Sequence, residues 1–270
     1  MLNVSVVLYR PNWEQVTSLT ETLLGFQGVE HVYWVDNSPK EAAHLPLSSD
    51  KLVYIFNDKN LGYGAAHNIA IRESIYDDVP FHLVLNSDIQ VDVQSLAEML
   101  AFMQQHQEVG SLMPHVIYPN GQTQFLCKLL PTPLDVFGRR FLPKRWMEKR
   151  NARYELRASG YDRLMNVPYL SGCFMLLRTQ AVLKARLFDE RFFMYPEDID
   201  LTRRIHRDYL TVYYPFVTIT HNHEQSSYHS LRMLVVHVVN MCRYFNKWGW
   251  FCDRERRLFN QVACETYLPK

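Results

Sequence analysis

Two hydrophobic periods alternate over residues 1–115. Val4–Tyr9 is a mostly apolar, β-branched run, and Trp13, Val16, Leu19, Leu23 and Leu24 then recur at the spacing of one helix face, broken near Gly25 and Gly28. His31–Val35 predicts a second strand, closed by the turn cluster Asp36-Asn37-Ser38-Pro39. Leu52–Phe56 predicts a third, followed by Asn57–Gly64 and a helix to about Ile75. Phe81–Leu85 is a fourth, closed by Asn86-Ser87-Asp88, with another helix over Val93–Met103. Strands alternating with helices predict a mostly parallel sheet covered on both faces. Such sheets bind ligands outside the carboxyl ends of their strands. Tyr9-Arg10, Asp36-Asn37, Asn57–Gly64 and Asn86–Asp88 all fall on that one edge.

The pattern then loosens. Pro119-Asn120-Gly121 predicts a hairpin turn. Between Arg139 and Arg157, eight Lys and Arg stand against two acids, Glu148 and Glu155. This run is either a solvated loop or a cationic lid over phosphates. Cys173–Leu177, Leu210–Tyr214 and Val217–Thr220 read as strands, Pro196–Arg207 as a helix, and the chain from Tyr228 onward as helical. There Leu231, Leu234, Val235, Val238, Cys242 and Phe245 form an apolar stripe, followed by Trp248, Trp250 and Phe251 and then Arg254, Arg256 and Arg257. That segment is expected to dock on the domain or in a homodimer seam, or else to lie in a membrane interface with its aromatics at the headgroups.

Composition narrows the class. The 270 residues carry a formal net charge of +1, so no global field favours a nucleic-acid partner, and 47% hydrophobic content excludes a disordered chain. The five cysteines are scattered without a CxxC pair, which predicts free thiols in a reducing compartment. Met1–Leu8 lacks a basic leader and reads as a strand, and no stretch approaches the ~18 apolar residues of a membrane span. The expected location is cytoplasmic, with peripheral attachment at the cytoplasmic face of the inner membrane left open.

Four clusters carry candidate chemistry. Asp88, at a strand's carboxyl end, either caps the next helix or reaches a divalent cation on a diphosphate. Asn60-Leu61-Gly62-Tyr63-Gly64, before a helix, is either a tight turn or an anion cradle; it lacks the third glycine of a dinucleotide fingerprint. Glu197, Asp198 and Asp200 follow an aromatic-rich loop and Pro196, and acids suit a helix start. Asp200 has Arg203 and Arg204 at +3 and +4, whereas Asp198 has Leu201 and Thr202, which leaves Asp198 the better general-base candidate. His221-Asn222-His223 follows a strand, where His221 either stays structural or joins Asp88 on a metal.

In this order the pieces resemble glycosyltransferase family 2, the inverting enzymes of the α/β GT-A (Rossmann-like) fold, in particular the rhamnosyltransferase-like group of bacterial surface polysaccharide synthesis. The matching residues are Val4–Tyr9, Val35–Ser38, Asn60-x-Gly62-Tyr63-Gly64-x-x-x-Asn68, Leu85–Asp88, Ser171–Phe174, Phe188–Leu201 and His221. The resemblance implies a mostly parallel sheet flanked by helices, with residues 1–115 as a nucleotide-binding half, 116–227 as an acceptor half and 228–270 as a helical extension. It implies a dTDP- or UDP-sugar donor contacted by Tyr9, Asp36, Asn60, Gly62, Asn68, Asn86 and Asp88. It further implies Mg²⁺ or Mn²⁺ on Asp88 and His221, Asp198 as base, and Gly172, Glu197 and Asp200 around a glycan or polyprenyl-linked acceptor. Asn86 departs from the family's DxD pattern and removes one charged ligand. The rival readings are a sugar-1-phosphate nucleotidyltransferase, disfavoured because Tyr9–Trp13 is no glycine-rich loop, and a non-catalytic sugar-nucleotide-binding or scaffolding subunit.

Overall fold

The computed structural model describes residues 1–139, 142–222 and 231–269. Arg140, His223 and Tyr228, and with them the boundary at 227/228, lie outside the described residues. Strands β1 (Leu2–Leu8), β2 (Val29–Asp36), β3 (Leu52–Phe56) and β4 (Phe81–Leu85) alternate with helices α1 (Trp13–Gly25) and α2 (Tyr63–Tyr76). After β5 (Ile89–Gln90) come α3 (Val93–Gln105), β6 (Val109–Ile117), β7 (Cys127–Lys128), α4 (Lys144–Tyr154), β8 (Met165–Asn166) and β9 (Tyr169–Leu170). The chain continues through β10 (Phe174–Arg178), α5 (Thr179–Lys184), α6 (Glu197–Ile205), β11 (Leu210–His221), α7 (Leu231–Trp248) and α8 (Arg254–Tyr267).

The main sheet runs β3-β2-β1-β4-β10-β6-β11-β5. The first four strands are mutually parallel, as is β6 with β11, while β10 runs antiparallel between β4 and β6. The period of two in β1 divides the core. Leu2, Val4, Val6 and Leu8 pack with Val16, Leu19 and Leu23 of α1 and with Leu96, Met99 and Met103 of α3. On the other face, Val7 and Val35 meet Ala66 and Ala70 of α2, and Val84, Met175 and Leu177 meet Ile71, Val182, Leu201 and Ile205. Helices therefore cover both faces, and each fully buried aliphatic contributes about 1.5–3 kcal/mol.

Three sequence expectations change in detail. Leu210–Tyr214 and Val217–Thr220 are one strand whose register against β6 shifts between Tyr214 and Thr218, because Pro215 cannot donate to the ladder. The basic run is no continuous loop: Lys144–Tyr154 is helical, and Arg139 and Arg157 share Glu155 while Arg150 holds Asp135. Pro196 is the cap residue of α6, which starts at Glu197.

The C-terminal helices differ more. The buried residues of α7 are Asn240, Met241, Tyr244 and Phe245, at its end, whereas Leu231 and Val235 are 78% and 55% exposed. Trp248 and Trp250 are not free for a membrane. The Trp248 ring lies 4.0 Å under the Arg203 guanidinium and its Nε1–H donates to Asp200 at 2.8 Å, while Trp250 stacks on Phe137. Charge explains the docking. Asp200, fully buried, accepts from Arg204 and sits 2.6 Å from Lys247. Arg203, 1% exposed, makes two 2.7 Å bonds to Asp253 and one of 2.6 Å to Glu255. Removing one partner of a buried pair strands the other charge, at about 3–5 kcal/mol. Asp253→Ala is therefore expected to lose about that much stability in urea unfolding; a loss under about 1 kcal/mol would show that α8 docks by apolar contact alone.

Candidate active site

Two buried acids open α6. Tyr195, just before its cap, has φ of +91°, a strained conformation for any side chain. Asp198 Oδ2 accepts the Gly172 N–H at 2.8 Å and lies 3.4 Å from the Tyr169 hydroxyl, and Oδ1 accepts the Ile199 N–H at 2.7 Å. A Cβ on Gly172 would meet Asp198 Cβ at 3.0 Å, so this close backbone approach suits glycine. Among the described residues no cation pairs with Asp198. Burial raises its pKa to about 6, against the pull of the two N–H donors and of Lys128. Glu197 is more isolated: its Oε2 is buried without a partner, and burial, with the neighbouring Asp198 charge, pushes it well above the usual carboxylate range. Burial raises both carboxyls, so the pair holds a proton to higher pH than free carboxylates do.

A polar line runs from Asp198 along the strand ends. The Tyr63 hydroxyl lies 2.7 Å from the Gly172 carbonyl and 2.8 Å from Asn86 Oδ1. Asn86 Nδ2 is 3.4 Å from His221 Nε2, which is 3.3 Å from Asp88 Oδ1. Topology makes this meeting, because β5 pairs with the end of β11 and sets His221 opposite Ile89, next to Asp88. Gln124 orients the imidazole, with its Oε1 3.0 Å from Nδ1 and its Nε2 donating to the His221 carbonyl. Burial opposes a charge on His221, but bonds to Asp88 and Cys173 outweigh it and raise its pKa to about 10. Among the described residues no three His, Cys, Asp or Glu side chains form a metal cage. One carboxylate and one imidazole, once the imidazole gives up the proton that Asp88 and Cys173 hold on it, fit a cation whose remaining ligands are phosphate oxygens and water, as Mg²⁺ and Mn²⁺ accept.

At the other end, Asp36 accepts from Ser38 N–H and the Tyr54 hydroxyl, each at 2.8 Å. Asn37 ties this corner to the α2 start, donating to the Gly62 carbonyl and accepting from Asn57. Asn60 caps the turn by accepting the Gly62 N–H. Gly62 has φ of +88° and a Cβ there would fall 2.3 Å from the Phe193 carbonyl oxygen, so this turn needs glycine. Tyr9 is 50% exposed at the end of β1. Asn68 stands apart: its side chain bonds to both backbone groups of Phe188 and to Glu190, so it clamps the loop before α6. Asp200 likewise faces the C-terminal helices, away from the cleft.

The family model described as Glycosyl transferase family 2 matches residues 31–184, more than half of the chain. The chain belongs to this family. It is 29% identical over 181 residues to the N-acetylglucosaminyl-diphospho-decaprenol L-rhamnosyltransferase of Mycobacterium tuberculosis, covering 62% of this chain and 58% of that protein. It is 24% identical over 215 residues to the low-salt glycan biosynthesis hexosyltransferase Agl10 of Haloferax volcanii, covering 78% of this chain and 63% of the relative. The chain thus matches less than two thirds of either relative's length. Among solved structures, GalNAc-T7 with UDP, GalNAc and Mn²⁺ superposes with a TM-score of 0.59 at 13% identity, over 82% of this chain and 43% of that one. The mannosyltransferase PcManGT of Pyrobaculum calidifontis, with GDP-Man and Mn²⁺, gives 0.54 at 14% identity, over 98% and 72%. These likenesses establish the GT-A fold.

For this family 2 chain, sequence reasoning placed Asp198, Glu197, Gly172, Asn86, Asp88 and His221 in one region, and the structure brings them together. It missed Tyr169, Gln124 and Lys128. Lys128 lies on the two-residue strand β7, whose pairing with β9 sets it opposite Tyr169. No periodicity announces so short a strand. A prediction follows from the charges: ¹³C carboxyl titration of the Glu197–Asp198 pair should show Asp198 ionising near pH 6, and Lys128→Met should move it upward. No shift would place Lys128 too far away to act.

Proposed function

We propose that this chain is an inverting glycosyltransferase in which Asp198 takes the proton from an acceptor hydroxyl while a nucleoside diphosphate leaves from the opposite side of the sugar. The observation that carries the reading is the Asp198 carboxylate itself: buried, raised in pKa, unpaired with any described cation and held by the Gly172 and Ile199 N–H groups. A base needs proton affinity near the working pH, and burial supplies it. Glu197, kept protonated, adds no second negative charge beside it. One displacement without a glycosyl-enzyme intermediate inverts the anomeric carbon.

The donor lies across the strand ends, with its base toward Tyr9 and Asp36 and its diphosphate toward Asn86 and Asp88. Asp88 and His221 hold Mg²⁺ or Mn²⁺, which when bound offsets the charge of the departing diphosphate. A dTDP-linked rhamnose is the first donor candidate and a UDP-hexose the second. The name of the mycobacterial relative favours a polyprenyl diphosphate-linked sugar as acceptor, and bacterial surface polysaccharide is the product such a transfer would serve. Residues 1–115 serve the donor and 116–227 the acceptor.

Such an acceptor sits at a bilayer. Trp146, 65% exposed among Arg145 and Lys149, and Phe251, 81% exposed before Arg254 and Arg257, replace Trp248 and Trp250 as the aromatics that meet anionic lipid. No helix among the described residues is long and apolar enough to cross a membrane. The exposed side of α7 at Leu231 and Val235 is where a second copy would pack in a homodimer.

Calorimetry with UDP, dTDP and GDP, each with Mn²⁺ and then with chelator, is expected to show metal-dependent binding of one nucleotide, lost in Asp88→Ala. Asp198→Asn should keep that binding and lower turnover about 10²–10⁴-fold. In the wild type, kcat/KM should climb with pH through about 6, because the base works only when ionised. Full turnover by Asp198→Asn would remove it as the base.

A further inference from the structure

A cavity of about 190 Å³ opens next to Ile199, the neighbour of Asp198 in α6. Tyr169, whose hydroxyl is 3.4 Å from Asp198, forms part of its wall, with Lys128, Arg139, Tyr195, His237 and Met241. Its two cations are poorly neutralised. Among the described residues Lys128 Nζ has no hydrogen-bond or ion-pair partner, and it lies over the Tyr169 ring at 5.4 Å. Arg139 reaches Glu155 with one nitrogen, but its Nε–H is buried without an acceptor. Neighbouring acids fill the gap only in part: Glu155 is divided between Arg139 and Arg157, Asp135 is taken by Arg150, and Asp198 acts on Lys128 without forming an ion pair. Burial, and then the Arg139 charge, depress the Lys128 pKa.

A lysine without a described anion and an arginine with a buried, unused N–H beside one cavity cost stability unless an anion completes them. We infer that Lys128 and Arg139 form a phosphate subsite that holds the phosphate or diphosphate of the acceptor, so that its sugar hydroxyl reaches Asp198. The inference rests on the glycosyl-transfer reading for the identity of the acceptor and on the cavity alone for the anion. Val136, Leu234 and Met241 line the same cavity, so one wall is apolar. The phosphate comes either from a lipid-linked sugar, whose first isoprene units that wall would cover, or from a soluble sugar phosphate.

The test is calorimetric titration of the full chain, in chelator, with inorganic pyrophosphate and with geranyl diphosphate. Wild type should bind pyrophosphate, Lys128→Met should weaken it about tenfold or more, and Lys128→Arg should restore most of it. Asp88→Ala, which disables the donor side, should leave it in place. Tighter binding of geranyl diphosphate than of pyrophosphate assigns a lipid acceptor, and equal binding assigns a soluble phosphate. No pyrophosphate binding by wild type, or binding lost in Asp88→Ala and kept in Lys128→Met, overturns the subsite. Nucleotide binding with Mn²⁺ reports the folding of the Lys128 variants and reads the donor side separately, and thermal unfolding followed by circular dichroism reports the folding of Asp88→Ala. Nucleotide binding without the pyrophosphate effect sinks only this inference, whereas its absence sinks the transfer reading and leaves the pyrophosphate result legible.

Discussion

The fully buried Asp200 carboxylate fixes how the C-terminal helices sit on α6. It gathers Arg204 from its own helix and Lys247 and the Trp248 indole from α7, while Arg203, one residue earlier than Arg204, is gripped by Asp253 and Glu255 at the start of α8. Desolvating so many charges gains little net stability over an apolar seam. What it provides is register, because each charge has one satisfied arrangement and misplacing α7 by a turn would strand several of them. The cavity beside Asp198 is walled on one side by Leu234, His237 and Met241 of α7, so its shape is inherited from that lock.

Around the start of α2 the constraint is backbone proximity. Gly62 approaches the Phe193 carbonyl and Gly172 approaches Asp198, each too closely for a Cβ without a shift. Tyr63 N–H bonds to Phe193, and its hydroxyl reaches both Gly172 and Asn86. Asn68 fastens the loop that begins at Phe188. One loop, 188–196, is thereby fixed to the α2 start and delivers Glu197 and Asp198 to the strand ends. The strain at Tyr195 sits where that delivery ends, and the packing on either side holds it in place.

Much of this was legible because period carries over directly into structure. Leu52–Phe56 and Phe81–Leu85 are strands with the limits their apolar runs predict, and the polar residues after each strand do line one edge. Two features resisted. The stripe on α7 predicts one buried face, yet only its last turns are buried, because Asp200, 47 and 48 residues before its partners Lys247 and Trp248, holds that end of the helix. Trp248 and Trp250 looked like interfacial aromatics and are instead ring partners of Arg203 and Phe137. Lys128 was invisible for a related reason: its neighbourhood consists of β9, Arg139 and α6, which only the fold assembles.

Asp198 and Asp200 show how one helix turn makes two unlike carboxylates. Residues two apart on a helix point to nearly opposite sides. Asp200 therefore faces the C-terminal helices and meets Arg204, Lys247 and Trp248, whereas Asp198 faces the cleft and meets backbone N–H groups. A cation paired directly with Asp198 would lower its pKa and weaken it as a base, and the residues at +3 and +4 from it, Leu201 and Thr202, cannot supply one. The nearest influence is Lys128, across Tyr169, which lowers the Asp198 pKa without forming a pair. An anion over Lys128 would reduce that pull and raise the proton affinity of Asp198. An acceptor phosphate seated there would thus strengthen the base at the moment its hydroxyl arrives, coupling acceptor binding to proton transfer through one lysine.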